Sequence, residues 1–352
     1  MLLYLTFHIH NMTLKELLRK NKQIKELYHF YLESIYDIRN YRYKKIVKKL
    51  LHNSDELDLA IANIKKIASS SEKKTYYIIR RDNSSIGLLT YVSLFLGHIA
   101  YAIAKGYIPV VDMQNFHSIY LNEEDFGKKN AWEFYFKQPL NSNLDDIYKA
   151  GNYVLSPTKM QPLSPFINSV FDRDESIFWK KICENFIHLS DQANSYIQDE
   201  YINLINGKKV LGLLYRGTDY TKMKPYGHPI QPDIDTFISK IEELIAQWGE
   251  FDYIYIATEE KAAVNKLKEK FPNKILENKR VYYDDLNVDF LFEASFNREN
   301  DRYLKGIEYL SSIYILSKCN SFIGGLCAGT YATNFMNSTD FENKFFFDLG
   351  KY

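Results

Sequence analysis

The sequence predicts an α/β protein of two domains with mainly parallel sheets, preceded by a helical extension. From Lys208 onward, strand-like apolar runs alternate with amphipathic helical runs, the pattern of a parallel sheet covered on both faces. Upstream, "TYYIIRR", a long helical run and "YIPVVDM" form the beginning of a second β-α-β unit. The 352 residues, 46% of them hydrophobic, suffice for more than one core, since domains run to about 100 to 200 residues. The expected boundaries are 1–72 for the extension, 73–206 for a first domain and 207–352 for a second.

The extension reads as helices from 13 to about 70. Thr13 is placed to cap "LKELLRKNKQIKELYHFYLESIYDI", where Leu14, Leu17, Leu18, Ile24 and Leu27 recur at helical spacing. Its second half, "RNYRYKKIVKKLL", is strongly basic; a solvated helix face is the plainer reading, contact with anionic lipid the alternative. Because every phosphate-type feature lies downstream, the extension is expected to be dispensable for ligand binding. The start, "MLLYLTFHIHNM", is interrupted by His8, His10 and Asn11 and is far shorter than the roughly 20 residues of a membrane span, so neither signal peptide nor anchor is expected.

After the linker-like "SSSEKK" come strand, turn, helix, a stop at Gly106 and strand. The stretch 114–200 is irregular and aromatic, with "NAWEFYFKQP" and the proline-punctuated "LSPTKMQPLSPF", before a helix that closes at Gly207. Then follow strand "KKVLGLLYRG", helix "DIDTFISKIEELIAQW", strand "FDYIYIAT", helix "EEKAAVNKLKEKF", strand "KILE", helix "GIEYLSSIYILSKC", strand "SFIGG" and a last helix.

Charge and cysteine usage exclude some classes. The 45 Lys+Arg against 44 Asp+Glu leave +1, no global field for nucleic acid. Cys183, Cys319 and Cys327 lack metal-ligand spacing and are odd in number, which fits a reducing, cytoplasmic setting.

Ligands of parallel sheets bind beyond the carboxyl ends of the strands. At the first such end, Arg216 offers a fork of donors suited to phosphate and Gly217 lets a ligand approach the backbone, with Thr218 and Asp219 beside them. A structural Arg216–Asp219 bridge is the competing reading. At the second, Thr258 looks like a cap with Glu259 and Glu260 in the first helical turn, where the helix dipole favours acids anyway. At the third, Gly324, Gly325, Ala328, Gly329 and Thr330 leave backbone N–H groups free for an anion, without the pattern of a phosphate-binding kinase loop. "YYDDLNVD", with Asp284 and Asp285, reads as a turn and not as a metal-ligand set.

The order "YRGTDY…GHPIQPDIDTFISKI…FDYIYIATEEKAAVNKLKEKFPN…LSKCNSFIGGLCAGTYATNFM" resembles the donor-binding half of the fucosyltransferase superfamily, over roughly residues 208–340. The α1,6-fucosyltransferases and rhizobial chitooligosaccharide fucosyltransferases are the nearest in pattern. "GLLTYVSLFLGHIAYAIAKGYIPVVD" is similar, more weakly, to the family's first-domain loop and helix.

This resemblance implies a GT-B-like pair of Rossmann-like domains and an inverting transfer of a sugar, fucose first, from a GDP-sugar to a glycan or glycolipid, without metal or other cofactor. A role in bacterial-type surface polysaccharide or glycolipid synthesis would follow, in the cytoplasm, with the basic N-terminal helices as the alternative contact with the inner membrane face. Arg216 matches the family's diphosphate-binding arginine and Asp219 the acid of the same motif. Thr258, Glu259 and Glu260 fall at its second acidic motif; Cys327 and Ala328 fall where it has a Ser-Ser pair, followed here by Gly329 and Thr330. The departures are Leu214 for a histidine, Gly217 for a second basic residue and Ser312 for an acid near the guanine. Fucose as the sugar rests on the resemblance alone. His228 and Asp219 are the candidates for the base, and Asp112 for contact with the acceptor. The alternative is a non-catalytic nucleotide- or glycan-binding protein on the same fold.

Overall fold

The computed structural model describes residues 41–159, 162–166, 168–284 and 293–352, with the side chains of Asn168, Thr218 and Asp219 set aside. The Thr13 cap and the helix read over 13–40 lie outside the described residues. The helical stretch 41–51 is described: Lys45, Lys48 and Lys49 are exposed, while Val47 and Leu50 are buried. The basic face seen here is thus the solvated side of a packed helix.

Helix α1 (Ser54–Ser69) starts where the Asn53 carboxamide oxygen accepts the Glu56 N–H. Its Leu57, Ile61 and Ile64 are buried in the same core as strand β1 (Tyr76–Arg80), helix α2 (Leu88–Ala104) and strand β2 (Ile108–Asp112). The segment expected to be dispensable therefore covers the first sheet. Helical spacing showed one apolar face but not what it would meet.

Beyond the irregular 113–143 region come α3 (Leu144–Ala150), the short strand β3 (Tyr153–Leu155), α4 (Arg173–Phe186) and α5 (Asp191–Leu204). Strands β1 to β3 form a parallel sheet in the order β2-β1-β3.

The second sheet is also parallel. Its strands are β4 (Val210–Leu214), β5 (Tyr253–Ala257), β6 (Ile275–Leu276), β7 (Ser321–Gly325) and β8 (Asn343–Phe347), in the order β6-β5-β4-β7-β8. The sequence reading missed β8, "NKFFF", an edge strand whose exposed Lys344 and aromatic run break simple alternation. Between the strands lie α6 (Thr218–Met223), α7 (Ile234–Trp248), α8 (Lys261–Lys270), α9 (Asp301–Leu316) and α10 (Ala328–Met336).

One continuous core runs from α1 and α2 through α4, α9 and α10 to one face of the second sheet. A second core, under α7 and α8, covers its other face, and Ile78, Val110, Leu144 and Ile147 close the outer face of the first. Helices α2, α4, α9 and α10 touch one another and form a layer shared by both halves. The α/β class with two parallel sheets stands. Among the described residues, no helix is long and apolar enough to cross a membrane.

Candidate active site

Strand order dictates where a ligand fits. In the second sheet the chain runs outward from β4 through β5 and β6, then returns to β4's other side with β7 and β8. The loops after β4 and β7 therefore diverge and leave a crevice at the topological switch. Tyr215 extends β4 by donating its N–H to Ala257 O at 3.1 Å, which places Arg216 at the mouth of that crevice.

Arg216 Nη1 lies 2.6 Å from Glu259 Oε1, the two side chains 18% and 8% exposed. The guanidinium also sits over the Tyr220 ring at 5.0 Å. The ion pair with Glu259 joins Arg216 to the end of the neighbouring strand. A side chain at Gly217 would meet the end of the Glu260 side chain, which would have to move aside. Thr218 and Asp219 open α6, and the roles expected of their side chains lie outside the described atoms.

Glu259 is available because α8 begins later than the sequence suggests. The helix starts at Lys261 with Glu260 at its N-cap, and Thr258 Oγ1 accepts the Glu260 N–H at 3.2 Å. The Lys261 and Ala262 N–H groups are taken by the Asp284 carboxylate at 2.6 and 2.9 Å. Asp284 is thus a helix-capping residue from a distant loop, while Asp285 lies outside the described residues. The pair Glu259–Glu260 is not a first-turn dipole partner, as expected, but precedes the helix.

At the third strand end, Cys327 is the N-cap of α10 and supplies no side-chain cap. Burial pushes its thiol pKa up, against the opposing pull of Thr330 and Arg216. Thr330 is spent internally, its hydroxyl donating to Gly325 O, and Gly329 is packed against the Tyr309 hydroxyl and Leu214. Cys327 and Ala328 remain to face the crevice.

The crevice opens into a cavity of about 400 Å³ between the two halves. The second half contributes Arg216, Glu259, Tyr220 and His228, together with Arg280, Tyr283, Lys305 and Tyr309. The first half contributes Ile86, Gly87, Leu89, Thr90, Ile119 and Tyr120. His228 stands edge-on to Tyr220, ring centroids 5.3 Å apart at 75°. Burial lowers the Lys305 pKa, partly offset by Asp301. Among the described residues no group of His, Cys, Asp or Glu is arranged to hold a metal ion.

Two expected site residues are elsewhere. Ser312 is fully buried within α9, its hydroxyl within hydrogen-bond distance of Glu308 O at 2.8 Å and Asn278 Oδ1 at 3.0 Å. Asp112 is fully buried as well, accepting from the N–H groups of Gln114 and Asn115 at 3.0 Å each and from Tyr148 Oη at 2.7 Å. It fixes the turn after β2 and does not line the cavity.

Sequence reasoning missed Arg280, Tyr283, Lys305 and Tyr309. The first two follow "KILE", a fourth strand end to which the same rule applies. Lys305 and Tyr309 are one turn apart on α9, a spacing that puts them on one face.

The chain matches no known family profile and no curated protein. Among solved structures it is similar to NodZ α1,6-fucosyltransferase soaked with GDP-fucose, with 14% identity over 75% of this chain and 93% of that one, at a TM-score of 0.48. It is similar also to fucosyltransferase NodZ from Bradyrhizobium (14%, 74% and 92%, 0.47). A third is POFUT1 in complex with GDP (10%, 79% and 99%, 0.44).

Proposed function

We propose that the cavity binds a GDP-sugar and that the protein is an inverting, metal-independent glycosyltransferase, with fucose the first sugar to test. The observation that carries this reading is Arg216, held by Glu259 at the switch point and lining one cavity with the side-chain-uncapped start of α10 at Cys327 and Ala328. A guanidinium fork and a helix N-terminus converge on an anion, and together stabilise a departing diphosphate whose charge grows in the transition state. The carbohydrate acceptor would enter along the apolar and aromatic wall of the first half. His228 lines the cavity and, with Asp219, is the candidate to accept the proton of the attacking hydroxyl. The resemblance of "YRGTDY", "ATEE" and "GGLCAGT" to the family's motifs supports the same reading.

GDP at 100 times its Kd should raise stability by about 2.7 kcal/mol, UDP should do so less, and chelator should leave the shift unchanged. Loss of the GDP shift on chelation refutes metal independence. GDP binding without transfer from any of a panel of GDP-sugars favours the non-catalytic alternative. A glycolipid or surface-polysaccharide acceptor would be met at a membrane face, which Lys45, Lys48 and Lys49 could approach. Flotation with anionic vesicles, repeated on the triple Lys→Glu variant, tests that part separately.

A further inference from the structure

Arg280 is the cavity residue with the least explained surroundings. Its Nε is buried and has no hydrogen-bond partner among the described residues. A buried donor without a partner is rare in folded proteins, and charged donors the more so.

The acids near it are already engaged. Glu277 accepts from Lys261 at 2.9 Å and also holds Lys268 and Tyr282. Glu308 takes the Arg298 fork, Asp301 takes Arg298 Nε at 2.8 Å, and Asp284 caps α8. Glu259 belongs to Arg216.

The backbone around Arg280 is fixed at the same time. The Lys279 N–H donates to Glu200 at 2.9 Å, the Tyr283 N–H donates to Glu259 O at 2.9 Å, and buried Asn278 accepts from Tyr255 Oη at 2.9 Å. The guanidinium is thus carried on a rigid base, beside a cavity, with no acid paired to it among the described residues. Such a group is preorganised for an anionic ligand.

We infer that Arg280 binds the diphosphate of the nucleotide and shares its charge with Arg216. This deepens the proposed function and rests on it. Arg216 already spends part of its charge on Glu259, so one guanidinium leaves much of a diphosphate uncompensated; Arg280 supplies the remainder.

The test is calorimetric titration of GDP and guanosine into the native protein and into Arg280→Gln and Arg280→Lys, with melting temperatures of the ligand-free proteins. Arg280→Gln is expected to weaken GDP binding roughly 10- to 100-fold, to leave guanosine binding unchanged and to keep the ligand-free melting temperature. Arg280→Lys should recover only part of the loss. The inference is overturned if Arg280→Gln binds GDP as the native protein does, or loses guanosine equally. It is also overturned if GDP binding is intact while transfer fails only with acidic acceptors, which would assign Arg280 to an acceptor anion. Native protein that binds no GDP overturns the proposed function together with this inference, whereas a defect-free Arg280→Gln overturns the inference alone.

Discussion

Both halves direct the loops after their parallel strands toward one cavity, yet they treat charge at those strand ends in opposite ways. At the first sheet, Arg80 ends β1 and gives its Nε and Nη2 to Ser156 O at 3.1 and 2.6 Å. Asp112 ends β2 and is saturated by its own turn and Tyr148. At the second sheet, Arg216 and Arg280 reach the cavity wall. At the first sheet the charge is consumed by the protein itself, whereas at the second Arg216, paired with Glu259, still lines the cavity beside Arg280. The first half adds instead an apolar and aromatic wall, the surface suited to a sugar ring.

The largest expected effect concerns what supports the first half. Starting the chain at residue 73 removes Leu57, Ile61 and Ile64 from the shared core, at about 1.5–3 kcal/mol each. The sum rivals the whole stability of a typical domain, about 5–15 kcal/mol. Circular dichroism should find the fragment unfolded; a folded fragment that binds GDP would restore the extension to an appendage.

Next comes Arg216→Ala, for which transfer should fall roughly 100- to 1000-fold, about 2.7 to 4 kcal/mol, with Arg216→Lys recovering little. Melting temperature and turnover measured on the same samples decide this. A destabilised variant with normal turnover per folded molecule would make the Arg216–Glu259 pair merely structural.

Asp112→Ala should show the reverse pattern, a stability loss of roughly 2–3 kcal/mol with near-normal turnover by the folded fraction. Urea denaturation and a transfer assay check it, and a fully folded but inactive Asp112→Ala protein would break the contrast between the sheets.

A smaller effect is expected at Tyr120, whose hydroxyl accepts the Leu88 N–H at 2.6 Å where Gly87, at the N-cap of α2, offers no side chain. Tyr120→Phe should cost about 1 kcal/mol in urea denaturation and change GDP affinity little.

The smallest effect separates structural charge from ligand-binding charge within the second half. Burial alone would raise Glu277, but hydrogen bonds from Lys268, Tyr282 and Lys261 outweigh it and hold its pKa at about 2. Because the folded pKa is depressed, the associated stability is present above the usual 4.5 and is lost as pH falls toward about 2. With solvent screening it amounts to the order of 1 kcal/mol or less. Glu277→Gln should flatten the acid limb of the stability curve without altering GDP binding at neutral pH; an unchanged limb would show the cluster to be inert.

The sequence by itself determined the α/β class, the parallel second sheet, the position of Arg216 just beyond β4 and the glycine that follows it. Those features depend on neighbouring residues, since hydrophobic period and turn chemistry are properties of a dozen positions or fewer. Tertiary structure alone decided that Glu259, from the neighbouring strand, pairs with Arg216, that Asp284 caps α8, and that Asp112 and Ser312 are hydrogen-bonded internally. It also decided that α1 is core and that Arg280 faces the cavity with its Nε unmatched. Each of these joins segments tens of residues apart, and local patterning carries no information about which distant donor or acceptor arrives first.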